Sequence, residues 1–421
     1  MSKKKRNVLT GVEIGTSTIK VVMGELLPDD IISVLGAGEV PSLRVVKGEV
    51  ADANVVQEQL ERALVMAEQA SGVEIEALFL AITGNHIHTV NSLGSTMVRT
   101  PNHKITEDDI VSAARNAHAY SLPPDQKVLH YFDRVYRIDG LRELANPLGQ
   151  VGSKLEVDVH IIYGQHNRIE TNCSLLADIM GYPATDIAFS AVAAGMAACP
   201  QEEVDKGVLL IDIGAGVTEY VVFHGPGCFH SGQVTVGCDH IANDLSLGLR
   251  LPMPKCRKIL HDLGMLSGSA AMTPDGRNRL MAVESLGQPT RHIPMSTIEQ
   301  VIEMRLQELM EAIRTDLEAN RALDRVASGI RLCGGGARIA GIDRLVEHVF
   351  RMPVTIARPR LASGKPEILE DPRFLVPIGL LRWGRLSLNI GTETQPPLWH
   401  WHQLRQDARK AWKAVTEAVK W

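Results

Sequence analysis

Long apolar runs are missing from this 421-residue chain. Nowhere do about eighteen apolar residues stand together, so no segment reads as a membrane-spanning helix. Aromatic residues are scarce, at 4%, which makes the position of each tryptophan informative. The six cysteines (Cys173, Cys199, Cys228, Cys238, Cys256 and Cys333) include no CxxC pair. So few in so long a chain do not form a disulfide scaffold. His86/His88 and His400/His402 are the closest histidine sets, but neither has an acid or thiol nearby at metal-ligand spacing, and no metal site is expected there. Neither charge sign dominates: Lys and Arg number 44, Asp and Glu 49, for a net −5. That balance argues against nucleic acid as a partner. Neither GxxxxGK[ST] nor GxGxxG occurs, which excludes a P-loop and a Rossmann dinucleotide site. The basic opening Lys3-Lys4-Lys5-Arg6 lacks the apolar stretch of a signal peptide, so a cytosolic chain is expected.

What is present is the mix of a folded protein, 45% hydrophobic and 22% charged, long enough for two domains or several subdomains around one cleft. Val8–Ile14, Ile19–Leu26 and a stretch near Ile31–Gly36 read as strands. Val55–Ala70 has helical apolar spacing, and Ala77–Thr83 reads as a strand. This β-β-β-α-β order recurs about 200 residues later. Gly207–Ile213, Glu219–His224 and Cys228–Val236 read as strands. Ile241–Leu249, Lys255–Leu263 and the long Ile298–Arg325 read as helices, before a strand at Gly329–Cys333. Two copies of one unit are therefore expected. Between them, residues 86–168 differ in character. Thr106 caps a helix over Ile110–Tyr120, with Glu107, Asp108 and Asp109 at its positive end, and strands follow at Leu129–Ile138 and Lys154–Tyr163. Gly264–Ile293 is rich in Gly, Ser, Pro and Met and reads as loop.

Matching glycine turns follow the first strand of each copy: Glu13-Ile14-Gly15-Thr16-Ser17-Thr18 and Asp212-Ile213-Gly214-Ala215-Gly216-Val217-Thr218. Small residues let backbone N–H groups approach phosphate oxygens, and the hydroxyls of Thr16, Ser17 and Thr218 add donors. Glu13 and Asp212 are candidates to hold Mg²⁺ through its waters. Lys20 can offset phosphate charge. A third element, Leu332-Cys333-Gly334-Gly335-Gly336-Ala337-Arg338, suits a backbone passing under a base or ribose.

Duplicated strand–turn–strand phosphate loops with a late triple glycine resemble the actin/Hsp70/sugar-kinase superfamily. Within it, Tyr136-Arg137-Ile138-Asp139-Gly140, Asn146-Pro147-Leu148-Gly149, Val159-His160-Ile161-Ile162, Gly341-Ile342 and Pro377-Ile378-Gly379-Leu380 look like the FtsA family of bacterial division proteins. The resemblance runs from about Val8 to Trp421. It implies an α/β actin-like duplicated fold, two lobes around a nucleotide cleft, with an FtsA-type inserted subdomain. Residues 1–85, 169–200 and 376–388 would form lobe 1, and 86–168 the insertion. Residues 201–240 and 326–375 would form the base of lobe 2, and 241–325 its outer subdomain. ATP would lie between the halves, with Gly15, Thr16, Ser17, Lys20, Asp212, Gly214, Ala215, Gly216 and Thr218 around phosphates. Gly334, Gly335, Gly336 and Arg338 would lie near adenosine. The chain departs from the family pattern at Glu13, Val217 and Glu219, and at Arg257 and Leu260 in the helix that normally touches ribose and base.

The resemblance also implies a cell-division adaptor that polymerises, works with other divisome proteins and binds the C-terminal peptide of FtsZ on residues 241–325. Arg305 and Arg314 are candidate contacts there, and the insertion is expected to mediate protomer contacts. Two rivals remain open: a PilM-like adaptor of a pilus machine, and a phosphotransferase of the sugar-kinase superfamily. The stretch that usually positions the attacking water, here Ala188–Cys199, has no Asp, Glu, Gln or His; very slow hydrolysis or none is expected.

After a polar, Pro-rich linker (389–397), four of the five tryptophans fall in the last twenty-four residues. That tail carries +3 and leaves −8 on the remainder. On a helical wheel Trp401, Leu404, Ala408, Trp412, Val415 and Val419 share an arc of about 80°. Lys410, Lys413 and Lys420 lie opposite. Such a helix suits the surface of an anionic membrane, and the expected location is the inner face of the cell membrane at the division site.

Overall fold

A computed structural model describes residues 7–388 apart from 226, 266–279 and 286–287. The linker and the amphipathic tail lie outside the described residues. Among those described, no helix is long and apolar enough to cross a membrane.

The chain opens with β1 (Val8–Ile14), β2 (Thr18–Leu26) and β3 (Ile32–Pro41), a three-strand meander, then a small hairpin of β4 (Val45–Val46) and β5 (Glu49–Val50). Helix α1 (Ala53–Ser71) starts on Asp52, whose carboxylate accepts from the N–H of Val55, and ends on left-handed Gly72. Its buried stripe Val56, Leu60, Ala63, Leu64 and Ala67 covers the sheet. Strand β6 (Leu78–Ile82) runs parallel to β1.

The insertion follows: β7 (Ile87–Met97), α2 (Glu107–His118), β8 (Gln126–Ile138), β9 (Arg142–Leu144) and β10 (Lys154–Gln165), with sheet order β7-β10-β8-β9. Thr106 caps α2 reciprocally. Its hydroxyl accepts from the Asp109 N–H, and its own N–H donates to the Asp109 carboxylate. The chain returns through α3 (His166–Met180), β11 (Asp186–Phe189), α4 (Ser190–Ala198) and α5 (Gln201–Lys206).

The second copy comprises β12 (Val208–Ile213), β13 (Thr218–His224) and β14 (Gly227–Val234), then α6 (Cys238–Leu249) and α7 (Met253–Met265). The hairpin of β15 (Leu280–Ser285) and β16 (Gln288–Pro294) leads into α8 (Met295–Ala319). Next come β17 (Ile330–Cys333), α9 (Ile342–Phe350), β18 (Val354–Ile356), β19 (Ala362–Ser363), α10 (Pro366–Leu369) and α11 (Leu375–Ser387).

The two large sheets are copies. Their orders are β11-β6-β1-β2-β3 and β18-β17-β12-β13-β14, antiparallel through the meander and parallel beyond it, with β19 added to the free edge of β3. The insertion lies between β6 and α3, where the second copy has only a short turn before α9. One apolar core fills lobe 1 and continues through α4 onto one face of the second sheet (Val208, Leu210, Val221, Phe223), a second fills the rest of lobe 2, and a third lies in the insertion. The insertion also leans on lobe 2: the Thr89 hydroxyl donates to the carbonyl of Ser231 at 3.1 Å, and the Arg134 guanidinium sits 4.1 Å from the Phe229 ring centroid.

The sequence reading differs from the structure in three places. Of the stretch read as loop, 266–279 lies outside the described residues, and Leu280–Ser285 and Gln288–Pro294 are paired strands. The long helix ends at Ala319, short of Arg325. Ala362–Ser363 pair with β3 of the first sheet, inside a segment expected wholly in lobe 2. A two-residue edge strand carries too little pattern to be read from sequence.

Helices α4 and α11 cross so closely that a Cβ on Gly379 would stand 1.7 Å from the carbonyl oxygen of Ala193. Neither backbone can retreat, because all of α4 is buried. Gly379→Ala is therefore expected to cost about 2 kcal/mol or more, seen as a lower midpoint in denaturant unfolding; an unchanged midpoint would contradict this packing.

Candidate functional site

The two glycine turns have the same construction. In the first, the Gly15 N–H donates to the Thr18 carbonyl at 3.1 Å; in the second, the Gly214 N–H donates to the Val217 carbonyl at 3.0 Å. Each bond closes a two-residue tip, Thr16-Ser17 or Ala215-Gly216. The tip N–H groups have no backbone acceptor among the described residues. The tips meet across the lobes. A Cβ on Gly216 would lie 2.8 Å from Thr16 Oγ1 and 2.9 Å from Lys47 Cα, so only glycine permits this approach.

Beside this contact opens a cleft of about 530 Å³. Its walls include Glu13, Gly15, Thr16, Ser17 and Lys20 from lobe 1 and Asp212, Gly214, Ala215, Gly216, Gly334, Gly335 and Arg338 from lobe 2. Most of the sequence-derived candidates are thus brought together. Two are not on the wall. The Thr218 hydroxyl is buried and donates to the Val236 carbonyl at 2.8 Å, and Gly336 is packed behind Ile213. Thr218 alternates inward with its strand, so its hydroxyl secures the hairpin instead of facing the cleft. Toward the outer end the walls are Leu260, Ile339, Arg257, Lys258 and His261, an apolar slot with a cationic rim. A Cβ on Gly335 would meet nothing within 4 Å, so this residue presents bare backbone to open space.

Thr83, Ser190, Glu219 and Arg373 also line the cleft and were not singled out as ligands. Glu219 is the most telling. In the first hairpin Glu13 stands opposite Lys20, and the two form an ion pair of 2.7 Å. At the equivalent register of the second, Asp212 stands opposite Glu219, acid against acid. Lobe 1 supplies what the second hairpin lacks. Thr83 Oγ1 donates to Glu219 at 2.7 Å, the Gly84 N–H donates at 3.2 Å, and the Ser190 hydroxyl donates to its other oxygen. Ser190 begins α4, where the sequence shows no acid; the structure brings one there from β13. The signal that could have found it is the 199-residue offset that aligns Glu13 with Asp212 and therefore Lys20 with Glu219.

Electrostatics follow from this crowding. Burial, then the charges of Glu13 and Glu219, push Asp212 from an ordinary value near 3.8 to about 8. Burial pushes Glu219 up to about 7 against the pull of its three donors. Carboxyls so disposed favour a neutralising cation. Among the described residues no three acids, histidines or cysteines are close enough to ligate one directly. The arrangement suits a hydrated Mg²⁺ beside phosphates better than a dehydrated metal. The free tip N–H groups, the bare Gly335 backbone and the cationic rim fit a nucleotide.

This architecture defines an actin-like protein, two duplicated lobes around a glycine-walled cleft, with an inserted α/β subdomain. Residues 84–163 match the family described as SHS2 domain inserted in FTSA, and residues 209–379 match that of Cell division protein FtsA. The chain belongs to the FtsA family. Cell division protein FtsA of Pseudomonas aeruginosa is 29% identical over 384 residues, covering 91% of this chain and 90% of its own length. That of Escherichia coli K12 is 27% identical over 390 residues, with 91% of each covered. Among solved structures, the PilM-PilN type IV pilus biogenesis complex superposes with a TM-score of 0.64 at 16% identity, over 89% of this chain and 98% of that one. MreB5 of Spiroplasma citri bound to ADP gives 0.55 at 14%, over 92% and 99%. These structural likenesses establish the fold alone.

The raised Asp212 makes a prediction about pH. Between about pH 4 and 8 the folded chain keeps a proton there that the unfolded chain has lost, so this group's contribution to stability falls as pH rises. Asp212→Asn removes the effect. With chelator and no nucleotide, the melting temperature of the variant relative to the wild type should climb from pH 5 to pH 8. A flat or falling difference would contradict the assignment.

Proposed function

We propose that this chain is a nucleotide-binding cell-division adaptor. It holds ATP with Mg²⁺ between its lobes, polymerises, binds the C-terminal peptide of FtsZ and attaches the resulting filaments to the inner face of the cytoplasmic membrane. The observation that carries the nucleotide reading is the contact of two matched turns, Thr16 against Gly216, at one end of a shared cleft. MreB5, which shares the fold, is seen bound to ADP and to AMPPNP.

In this reading the turns at Gly15–Ser17 and Gly214–Gly216 cradle phosphates with backbone N–H groups. Lys20 balances the acids, and Gly334, Gly335 and Arg338 lie beside adenosine, with Leu260 and Ile339 as apolar walls. Glu13 and Asp212 hold Mg²⁺ through its waters; the cation, when bound, offsets the charge of phosphates and carboxylates. Hydrolysis is slow. Both oxygens of Glu219 already accept hydrogen bonds from lobe 1, and α4 offers only Ser190, so the acid that β13 brings to the start of α4 is engaged and does not orient a water.

The outer part of lobe 2, about 241–325, is the proposed seat of the FtsZ peptide. Two candidate contacts are already engaged: Arg305 pairs with Asp244 at 2.6 Å and with Glu308, and Arg314 with Glu318 at 2.7 Å. The insertion mediates contacts between protomers. Attachment is assigned to residues 398–421 on their sequence alone. The pilus and phosphotransferase alternatives share the fold but leave the cationic, tryptophan-rich tail and the family match unexplained.

Two measurements test this. A fluorescent ATP analogue should bind the purified protein with Mg²⁺, and phosphate release should stay well below about one per second; turnover at that rate or faster, abolished by Asp212→Ala, would refute the non-hydrolytic reading. Flotation with anionic liposomes should be lost on deleting Leu398–Trp421; equal binding of both forms would remove the membrane assignment.

A further inference from the structure

A second cavity, of about 530 Å³, lies alongside the meeting point of the two turns and shares Thr16, Ser17, Gly216, Asp239 and Arg257 with the cleft. Its remaining wall comes largely from Ser42–Lys47 and from the start of α6, at His240 and Asn243. The β4–β5 tip, Lys47-Gly48, turns in the left-handed region (φ 52° and 76°). It is fixed there on two sides. The Gly48 N–H donates to Thr16 Oγ1 at 3.0 Å, and a Cβ on Gly48 would stand 2.6 Å from Gly84 Cα. The hairpin therefore seats Lys47 directly over the contact between the phosphate-type turns.

The wall has the chemistry of an anion site. Lys47 forms no salt bridge among the described residues, unlike Lys20 in the cleft. Arg257 contributes a second cation, held at 2.8 Å by Asp239, the one carboxylate on this wall. The His240 Nδ1 accepts from the Gly237 N–H at 3.1 Å, which places the ring proton of the neutral form on Nε2. Ser42 has its hydroxyl oxygen buried with no hydrogen-bond partner among the described residues, a condition buried polar groups rarely tolerate. We propose that this cavity is a phosphate site governed by Lys47, which senses the terminal phosphate of the nucleotide, whether still attached or just released. The inference rests on the nucleotide reading above and deepens it.

The test uses the full chain with Mg²⁺. Dissociation constants are measured by fluorescent-nucleotide competition for ADP, for a non-hydrolysable ATP analogue, and for ADP with added inorganic phosphate. If the attached phosphate occupies the site, Lys47→Gln lowers the preference for the analogue over ADP about fivefold or more, the loss of one partly exposed charged hydrogen bond. If the freed group occupies it, the variant instead loses the effect of inorganic phosphate on ADP binding. Lys47→Arg restores either behaviour. A Lys47→Gln protein that matches the wild type in both comparisons, with an unchanged melting temperature, overturns the proposal. A wild-type chain that binds none of these nucleotides strikes the broader reading instead.

Discussion

The apposition of Asp212 and Glu219 across one register of the second hairpin is the constraint on which the cleft depends. The first hairpin solves the same position with opposite charges, Glu13 and Lys20, and is electrostatically complete in itself. The second is not. Two carboxyls held side by side and buried are costly to ionise, and both are pushed toward their protonated forms. Relief comes from outside the hairpin, through Thr83, Gly84 and Ser190 of lobe 1. The duplicated units are therefore complementary as well as alike: one carries an unsatisfied carboxylate, and the other carries its donors.

That dependence ties the cleft to the inserted subdomain. Gly84 donates to Glu219, presses against Gly48 and stands three residues before β7. Gly48 in turn donates to Thr16 at the tip of the first turn. A short run of backbone contacts thus joins the meeting point of the turns to the root of the insertion. The insertion's other side rests on lobe 2 through His160, whose ring nitrogens are engaged by Asn91 at 2.8 Å and Ser231 at 2.9 Å. A displacement of the lobes relative to one another strains both attachments together.

Much of this was legible in the sequence, for identifiable reasons. Strands β1, β2, β12 and β13 are buried apolar runs broken by glycine, and α1 and α8 repeat their apolar residues at helical spacing. The Thr106 capping box announced α2. Other elements had no such signature. Helix α4 is buried on every side and shows no periodicity, while α11 carries Pro377 in its first turn and two internal glycines. Strand β7 mixes exposed and buried residues without clean alternation. The cleft residues not singled out as ligands, Thr83, Ser190 and Arg373, come from parts of the chain whose nearness is created by the fold. Arg373, for example, reaches Glu39 across 334 positions.

The departures from the family pattern can be weighed once their roles are visible. Val217, which stands where a hydroxyl is usual, closes its turn through its backbone carbonyl, while its side chain is largely buried. Losing the hydroxyl removes one donor and leaves the turn intact. Leu260 is buried on the outer wall, where an apolar surface can still face a base, and the Arg257 guanidinium is held by Asp239. In each case what the proposed ligand would meet is supplied by backbone, shape or a retained charge. A cleft built in that way tolerates side-chain drift to 27–29% identity so long as its close approaches survive. The positions with least freedom are therefore the small ones: Gly216 against Thr16, and Gly48 against Gly84. A side chain at Gly216 would push the lobes apart and take Glu219 away from the donors that make its burial tolerable, and one at Gly48 would drive the β4–β5 hairpin off Gly84, itself one of those donors.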